Sequence, residues 1–230
     1  VIVCRGVPAS SNRVITLHTI LMDQLTVVNQ NVNGSTQQWC VGYNKVTPLM
    51  MIFDRTASSV TPRKTRVMLE DLIVENHTTP SIIPNLEDVA ISPDNVKLSG
   101  LATSQVANVL NPNGFNGNLT WPNSFTVDAD VGRWDRTSRF LVVGKRGNDY
   151  VSVLKHSSNV FSKTMDIQEI GKTVYNIAMS PYANQMAVVW LSGGVYTTKL
   201  YRRLGSFYQE IQTIANFGQL IDFSADGTII

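Results

Sequence analysis

From Ile91 onward, short apolar runs alternate with clusters of turn residues, and one such unit recurs. The string ISPDNVKLSG begins at Ile91, WDRTSRFLVVG at Trp134, MSPYANQMAVVW at Met179 and FSADGTII at Phe223, so successive starts lie 43, 45 and 44 residues apart. Each copy predicts a strand ending on one large apolar residue, a tight polar turn, and a second strand. Proline fixes φ in such turns, Asn and Gly tolerate positive φ, and Ser or Asp caps nearby amides.

The runs that follow the turns, FLVV and MAVVW, are apolar without alternation, which predicts strands covered on both faces. Third strands from Tyr150 and Val195 mix apolar with polar residues. Fourth strands are expected from Val160 and Phe207, with Phe161 and Phe207 in the same place of successive repeats and Leu154 coinciding with Leu200. Runs this short, rich in Val, Ile, Tyr and Thr and broken every ten residues or so, disfavour helix. A fixed spacing in the forties then predicts an all-β chain, a β-propeller of four-stranded antiparallel blades with about five blades' worth of sequence. The expected divisions are 86–130, 131–175, 176–219 and the start of a further blade at 220–230, with 1–85 forming degenerate blades or closing strands. Val1 to Val3 read as a strand and Thr228 to Ile230 break off within one. Either both ends are cut from a longer polypeptide, or the start supplies the strands missing from the blade that Leu220 opens.

Within 1–60, strand-like runs begin at Val14, Leu25, Gln38 and Leu49. The string FDRTAS at Phe53 echoes WDRTSR at Trp134. Thr61 to Arg66 reads as a basic loop, followed by a strand VMLEDLIVE. Residues 111–124, NPNGFNGNLTWPNS, are pure turn chemistry where a third strand should pass to a fourth, so a long insertion is expected there. Phe115 and Trp121 within it are the candidate partner-binding residues.

Composition narrows the function classes. Nineteen Lys and Arg against seventeen Asp and Glu leave a formal net charge of +2, too balanced for a dedicated nucleic-acid binder, and only 16% of residues are charged. A polar, weakly charged surface suits secreted or virion proteins in large assemblies. No run approaches a membrane span. The two cysteines, Cys4 and Cys40, are able to pair but their spacing does not demand it.

Candidate chemistry is sparse. His18, His77 and His156 lie in no metal-ligand spacing and read as partly exposed surface histidines. Asp128 and Asp130 form a D-x-D without the remaining ligands of a calcium loop. The sequence contains no G-x-S-x-G, H-E-x-x-H or P-loop. Arg63, Lys64 and Arg66 read as a solvated basic cluster. Sequons at Asn33, Asn76 and Asn118 matter only on a secretory route.

The repeat resembles the WD-like propeller repeats of virion and tail proteins of tailed bacteriophages. Ser180-Pro181, Met186 to Val189, Lys199 to Arg203, Gly205 and Phe207 carry the likeness in one copy, and Arg139 to Gly144, Val151 to His156 and Phe161 in another. It covers 131–230 well, 86–110 loosely and 1–80 not at all. The resemblance implies a non-enzymatic structural module of a tail hub, nozzle or fibre attachment, without cofactor. Its expected partners are other virion subunits, in a symmetric homo-oligomer.

TolB-like periplasmic propellers and lactonase-like hydrolases share the S-P-D-G hairpin, from which this chain departs at 135–138 and at Tyr182-Ala183. A periplasmic or extracellular propeller is therefore the alternative, and a metal-dependent hydrolase of that kind needs acids at the inner ends of successive first strands. Asp88, Asp130, Asn176 and Asp222 are the residues placed near there. A third reading, a carbohydrate-binding receptor module, would use Phe115 and Trp121 for stacking.

Overall fold

The computed structural model describes residues 2–6, 13–21, 24–33, 38–44, 49–55, 63–68, 73–78, 86–94, 96–110, 123–181, 184–224 and 227, with the strands up to Leu86 and residues 108–110 known by their backbones. Its strands are β1 (Ile2–Gly6), β2 (Arg13–Leu21), β3 (Gln24–Asn33), β4 (Gln38–Asn44), β5 (Leu49–Arg55), β6 (Arg63–Met68), β7 (Ile73–Thr78), β8 (Leu86–Ile91), β9 (Lys97–Ala102), β10 (Gln105–Leu110) and β11 (Asn123–Phe125). They continue as β12 (Val131–Trp134), β13 (Phe140–Gly144), β14 (Tyr150–Ser157), β15 (Val160–Gln168), β16 (Thr173–Met179), β17 (Gln185–Ser192), β18 (Val195–Leu204) and β19 (Phe207–Ala215). No helix occurs among the described residues, so none there is long and apolar enough to cross a membrane. Four antiparallel four-stranded sheets, β4–β7, β8–β11, β12–β15 and β16–β19, follow one another, and β1–β3 form a three-stranded sheet. Their first strands lie side by side, β4 against β8, β8 against β12 and β12 against β16, so the sheets radiate from one axis.

The recurring turn closes in the same way each time. Ser92, Asp135 and Ser180 donate their amides to the carbonyls of Lys97, Phe140 and Gln185 at 2.8, 2.8 and 3.0 Å. Unbroken apolar runs in β13 and β17 are buried throughout their centres because neighbouring sheets cover both faces. One face of β12–β15 sends Trp134, Leu141, Leu154 and Phe161 against Leu101 and Val106 of the sheet before. The opposite face packs Phe140, Val142 and Val153 on Met186, Val188, Trp190, Tyr201 and Tyr208 of the sheet after. Ile221 and Phe223 in turn cover Ala178, Ala187, Val189 and Leu200. The outermost strands β15 and β19 are mostly exposed.

Several sequence expectations need correction. The blade β16–β19 begins at Thr173, ahead of the expected division after 175. Hairpin register pairs Leu204 with Phe207 and Arg203 with Tyr208, as Ser157 pairs with Val160 and His156 with Phe161. Tyr208 is therefore the counterpart of Phe161, each 5% exposed, whereas Phe207 is 51% exposed. Likewise Leu154 pairs with Leu141 and Tyr201 with Met186, making Tyr201 the counterpart of Leu154. Phe53 lies on the second strand of its sheet, so its echo of Trp134 on a first strand is not structural. The expected basic loop is β6 from Arg63, and VMLEDLIVE is divided between β6 and β7. The fourth strand begins at Asn123, so the last two positions of the expected insertion, 123 and 124, belong to β11.

A bulge recurs that no composition pattern announces. The register of third on fourth strand shifts between Leu17 and His18, between Val153 and Leu154, and between Leu200 and Tyr201. The three hairpins then end in equivalent pairs, Leu21 with Gln24, Ser157 with Val160, and Leu204 with Phe207. By this register β1, β2 and β3 are the second, third and fourth strands of a blade.

Candidate functional site at the first strands

The residues that could serve chemistry at the axis sit on or beside irregular first strands. The ladder of β8 on β9 shifts between Leu86 and Asp88, and that of β16 on β17 between Val174 and Asn176. Each shift brings a side chain onto its own backbone. Asp88 Oδ1 accepts the Val89 amide at 2.9 Å, and Asn176 Oδ1 accepts the Ile177 amide at 2.8 Å. Asp222 Oδ1 accepts the Phe223 amide at 2.9 Å. Asp130, in the connection ahead of β12, accepts the Arg146 amide at 2.8 Å. Burial raises the Asp130 pKa, and the Arg146 amide and charge oppose it without cancelling it.

The side chain that joins this group was not singled out from the sequence. Arg133, on β12, donates to Asp88 Oδ2 at 2.8 Å and to the Gly132 carbonyl at 2.6 Å. Burial works against its charge, but the carboxylates of Asp88 and Asp222 hold its pKa above the ordinary arginine value. Register places Arg133 where neighbouring blades carry Ala90 and Ala178. A lone cation on an otherwise uncharged four-residue strand was the available signal. Gly132 beside it keeps the strands close, since a Cβ there would lie 2.8 Å from Leu101 Cδ1 and 2.9 Å from the Val142 carbonyl oxygen.

Of the four expected residues, Asp88 and Asp222 both act on the Arg133 guanidinium. Asp88 is shared between an amide and a guanidinium, and the other three each accept a backbone amide. No group of three or more His, Cys, Asp or Glu side chains placed to hold a metal ion occurs among the described residues. Asp128 also stands apart from Asp130, accepting the Ser104 amide at 3.1 Å and facing Lys145 at 3.7 Å.

A second polar constellation joins two blades. Asp135, 1% exposed in the turn after β12, accepts the Arg139 amide at 3.1 Å and the Phe140 amide at 2.9 Å through Oδ1. Its Oδ2 accepts from Thr137 Oγ1 at 2.7 Å and from Arg203 of β18 at 2.6 Å. The guanidinium of Arg203 lies 4.8 Å from the centre of the Phe140 ring. In the preceding blade Ser92 Oγ takes the Asp135 role toward the backbone, accepting the Lys97 amide at 2.8 Å. Charge-assisted bonds to a buried carboxylate make this a clamp between sheets.

His156 corrects another expectation, since it is buried. Its ring meets Trp134 at 5.8 Å and Phe161 at 5.1 Å, both edge-on. His18 and His77 lie on β2 and β7, Cys4 and Cys40 on β1 and β4, and Arg63, Lys64 and Arg66 on β6, with side chains outside the described residues. Phe115 and Trp121 also fall outside the described residues.

No family model and no curated protein sequence matches the chain. Solved structures do. A protein from Bacteroides uniformis assigned as a 6-phosphogluconolactonase is similar over 98% of this chain and 72% of its own, at 10% identity and a TM-score of 0.69. A protein from Lactobacillus plantarum is similar over 96% of this chain and 71% of its own, at 13% identity and a TM-score of 0.67. The β-propeller domain of Cps50 (Swd1) from Myceliophteria thermophila is similar over 80% of this chain and 64% of its own, at 10% identity and a TM-score of 0.55. The chain also spans 66% of a functionally unknown protein from Desulfotomaculum acetoxidans and 48% of Kuenenia stuttgartiensis hydrazine synthase. At such identities the likeness carries the fold and leaves function to the residues. With radiating four-stranded antiparallel sheets and these neighbours, the chain is a β-propeller.

Proposed function

We propose that this propeller is a non-enzymatic assembly platform, a stiff ring whose ends and loops hold neighbouring subunits. The observation that carries this reading is the engagement of Asp88 by Arg133, because a guanidinium stands where a hydrolytic propeller would place a cation. A catalytic metal needs ligands with lone pairs to give and an open coordination position. The resemblance of the repeat to tail-protein propellers supports a virion, in a tail hub, nozzle or fibre attachment, as the setting.

Calorimetric titration with calcium, together with assays of lactone hydrolysis, tests the absence of catalysis. Neither saturable binding nor turnover is expected. Micromolar calcium binding that is lost in Asp88→Asn, accompanied by hydrolysis, would replace the platform with the lactonase-like alternative. For the setting, antibody labelling of native particles viewed by electron microscopy is expected to place the ring at a fixed position on the tail.

A further inference from the structure

The sheet β1–β3 has three strands, which the shared bulge makes the second, third and fourth of a blade. Its first strand is not among β4 to β19, because each of those already belongs to a four-stranded sheet. The residues after β19 have the features of one. The Gly227 amide donates to the Ser224 carbonyl at 3.0 Å, as the Ser138 amide donates to that of Asp135 at 3.0 Å in the turn that closes β12. Each turn follows a buried aromatic residue, Phe223 or Trp134, and Phe223 makes a β-bridge. Ile221 and Phe223 pack on Ala178 and Val189 of the blade before, much as Trp134 packs on Ala90 and Leu101. The charge of Asp222 also reaches Arg133 of β12, which sets this segment beside the other first strands.

Register names the residues that would meet. Aligning Phe223 with Trp134 puts Leu220, Ile221 and Asp222 at the sites of Val131, Gly132 and Arg133, which pair with Gly144, Val143 and Val142. Aligning the bulges puts Leu17 at the site of Val153, and since these pair with Ile2 and Val142, Ile2 takes the site of Val142. Asp222 then lies opposite Ile2, Ile221 opposite Val3 and Leu220 opposite Cys4. Val131 is 1% exposed and Leu220, at the corresponding site, 79%. A blade formed on this segment would bury that side chain.

We propose that residues 220–223 add to β1 as the first strand of its sheet, so that the ring closes with five blades. Ladder hydrogen bonds to β1 and apolar contact with the blade β16–β19 then hold one segment from both sides. Sheets from opposite ends of the sequence become neighbours. The inference does not rest on the platform reading, since closure is the same whatever subunits the ring carries.

Two measurements on the whole chain test it. Alternate amides of an antiparallel strand face each neighbour, and register with β13 makes Ile2 and Cys4 the residues of β1 whose amides face away from β2. Hydrogen exchange followed by NMR should find the Cys4 amide as protected as that of Val3, which faces β2. Exchange of Cys4 at the rate of an unstructured peptide overturns closure.

The second measurement identifies the partner strand. Leu220→Cys combined with Cys40→Ala leaves Cys4 as the one native thiol. Directly opposite Cα atoms lie about 4.5 to 5.5 Å apart, within the span of a disulfide. In a glutathione redox buffer, the intramolecular link from Cys4 to the new thiol, mapped by mass spectrometry, should exceed by about ten-fold that formed from Ile170→Cys in the same background. Ile170 is also exposed but lies on the connection into β16, away from this register. Thermal melts close to that of the unaltered chain show that both variants fold. No link, equal links from both positions, or links only between chains overturns the assignment of 220–223 to β1. Such a failure leaves the calcium, lactone and particle-labelling outcomes of the platform reading as they stand.

Discussion

The Arg133 guanidinium meets the Asp88 carboxylate at 2.8 Å across the junction of two blades, linking residues 45 apart in the chain. Its side chain is 41% exposed, so water screens the pair. Arg133→Met is expected to cost about 1 kcal/mol or less in urea unfolding, with the difference shrinking in salt. A loss above about 3 kcal/mol would show that the guanidinium behaves as a fully buried ion.

Asp135 is a different case, because nothing replaces it if it goes. Asp135→Ala leaves the Phe140 amide without its side-chain acceptor and the Arg203 guanidinium, with its side chain 13% exposed, without its carboxylate. A loss of about 3 to 5 kcal/mol is expected. Adding Arg203→Ala should cost far less than Arg203→Ala alone, which a double-mutant cycle measures directly.

Leu141 is 0% exposed between two blades. Leu141→Ala should destabilise by about 2 to 5 kcal/mol, set by how far the sheets close on the cavity. A value under about 1 kcal/mol would contradict an interior strand.

The corrected hairpin register has its own check. Phe161→Ala removes a buried ring and should cost about 3 to 5 kcal/mol. Phe207→Ser removes an exposed one and should change monomer stability by less than about 0.5 kcal/mol. Equal costs would restore the original pairing of the two phenylalanines.

His156 should make the protein acid-sensitive. Burial, and then the charge of Lys97, lower its pKa, against an opposing pull from Asp94. The unfolded chain therefore takes up the proton more readily than the folded one. The contribution is fully present above the free-histidine pKa of about 6.5 and is lost as pH falls through that value toward the folded pKa. His156→Phe should flatten this part of the stability profile measured by denaturant unfolding. An unchanged slope would place the acid sensitivity elsewhere.

Much of the fold was legible because it is local. Turn residues and two adjacent strands lie within about a dozen residues, so the spacing of Ile91, Trp134, Met179 and Phe223 exposed the hairpins and, through their repetition, the blades. The site was less legible. Asp88, Asp130, Asn176 and Asp222 stood out by residue type, but what each oxygen accepts depends on backbone irregularities that sequence spacing does not report.

Sequence alone determined the alternation of short strands and turns, the doubly covered second strands and the placement of the insertion before β11, since these follow from side-chain burial and backbone preference over short distances. Tertiary structure alone decided that Tyr208 and not Phe207 turns inward, because a hairpin's last pair shifts every side chain by one face. It also decided that Arg133 reaches Asp88 and Arg203 reaches Asp135, contacts that exist only once separate sheets have been packed around a shared axis.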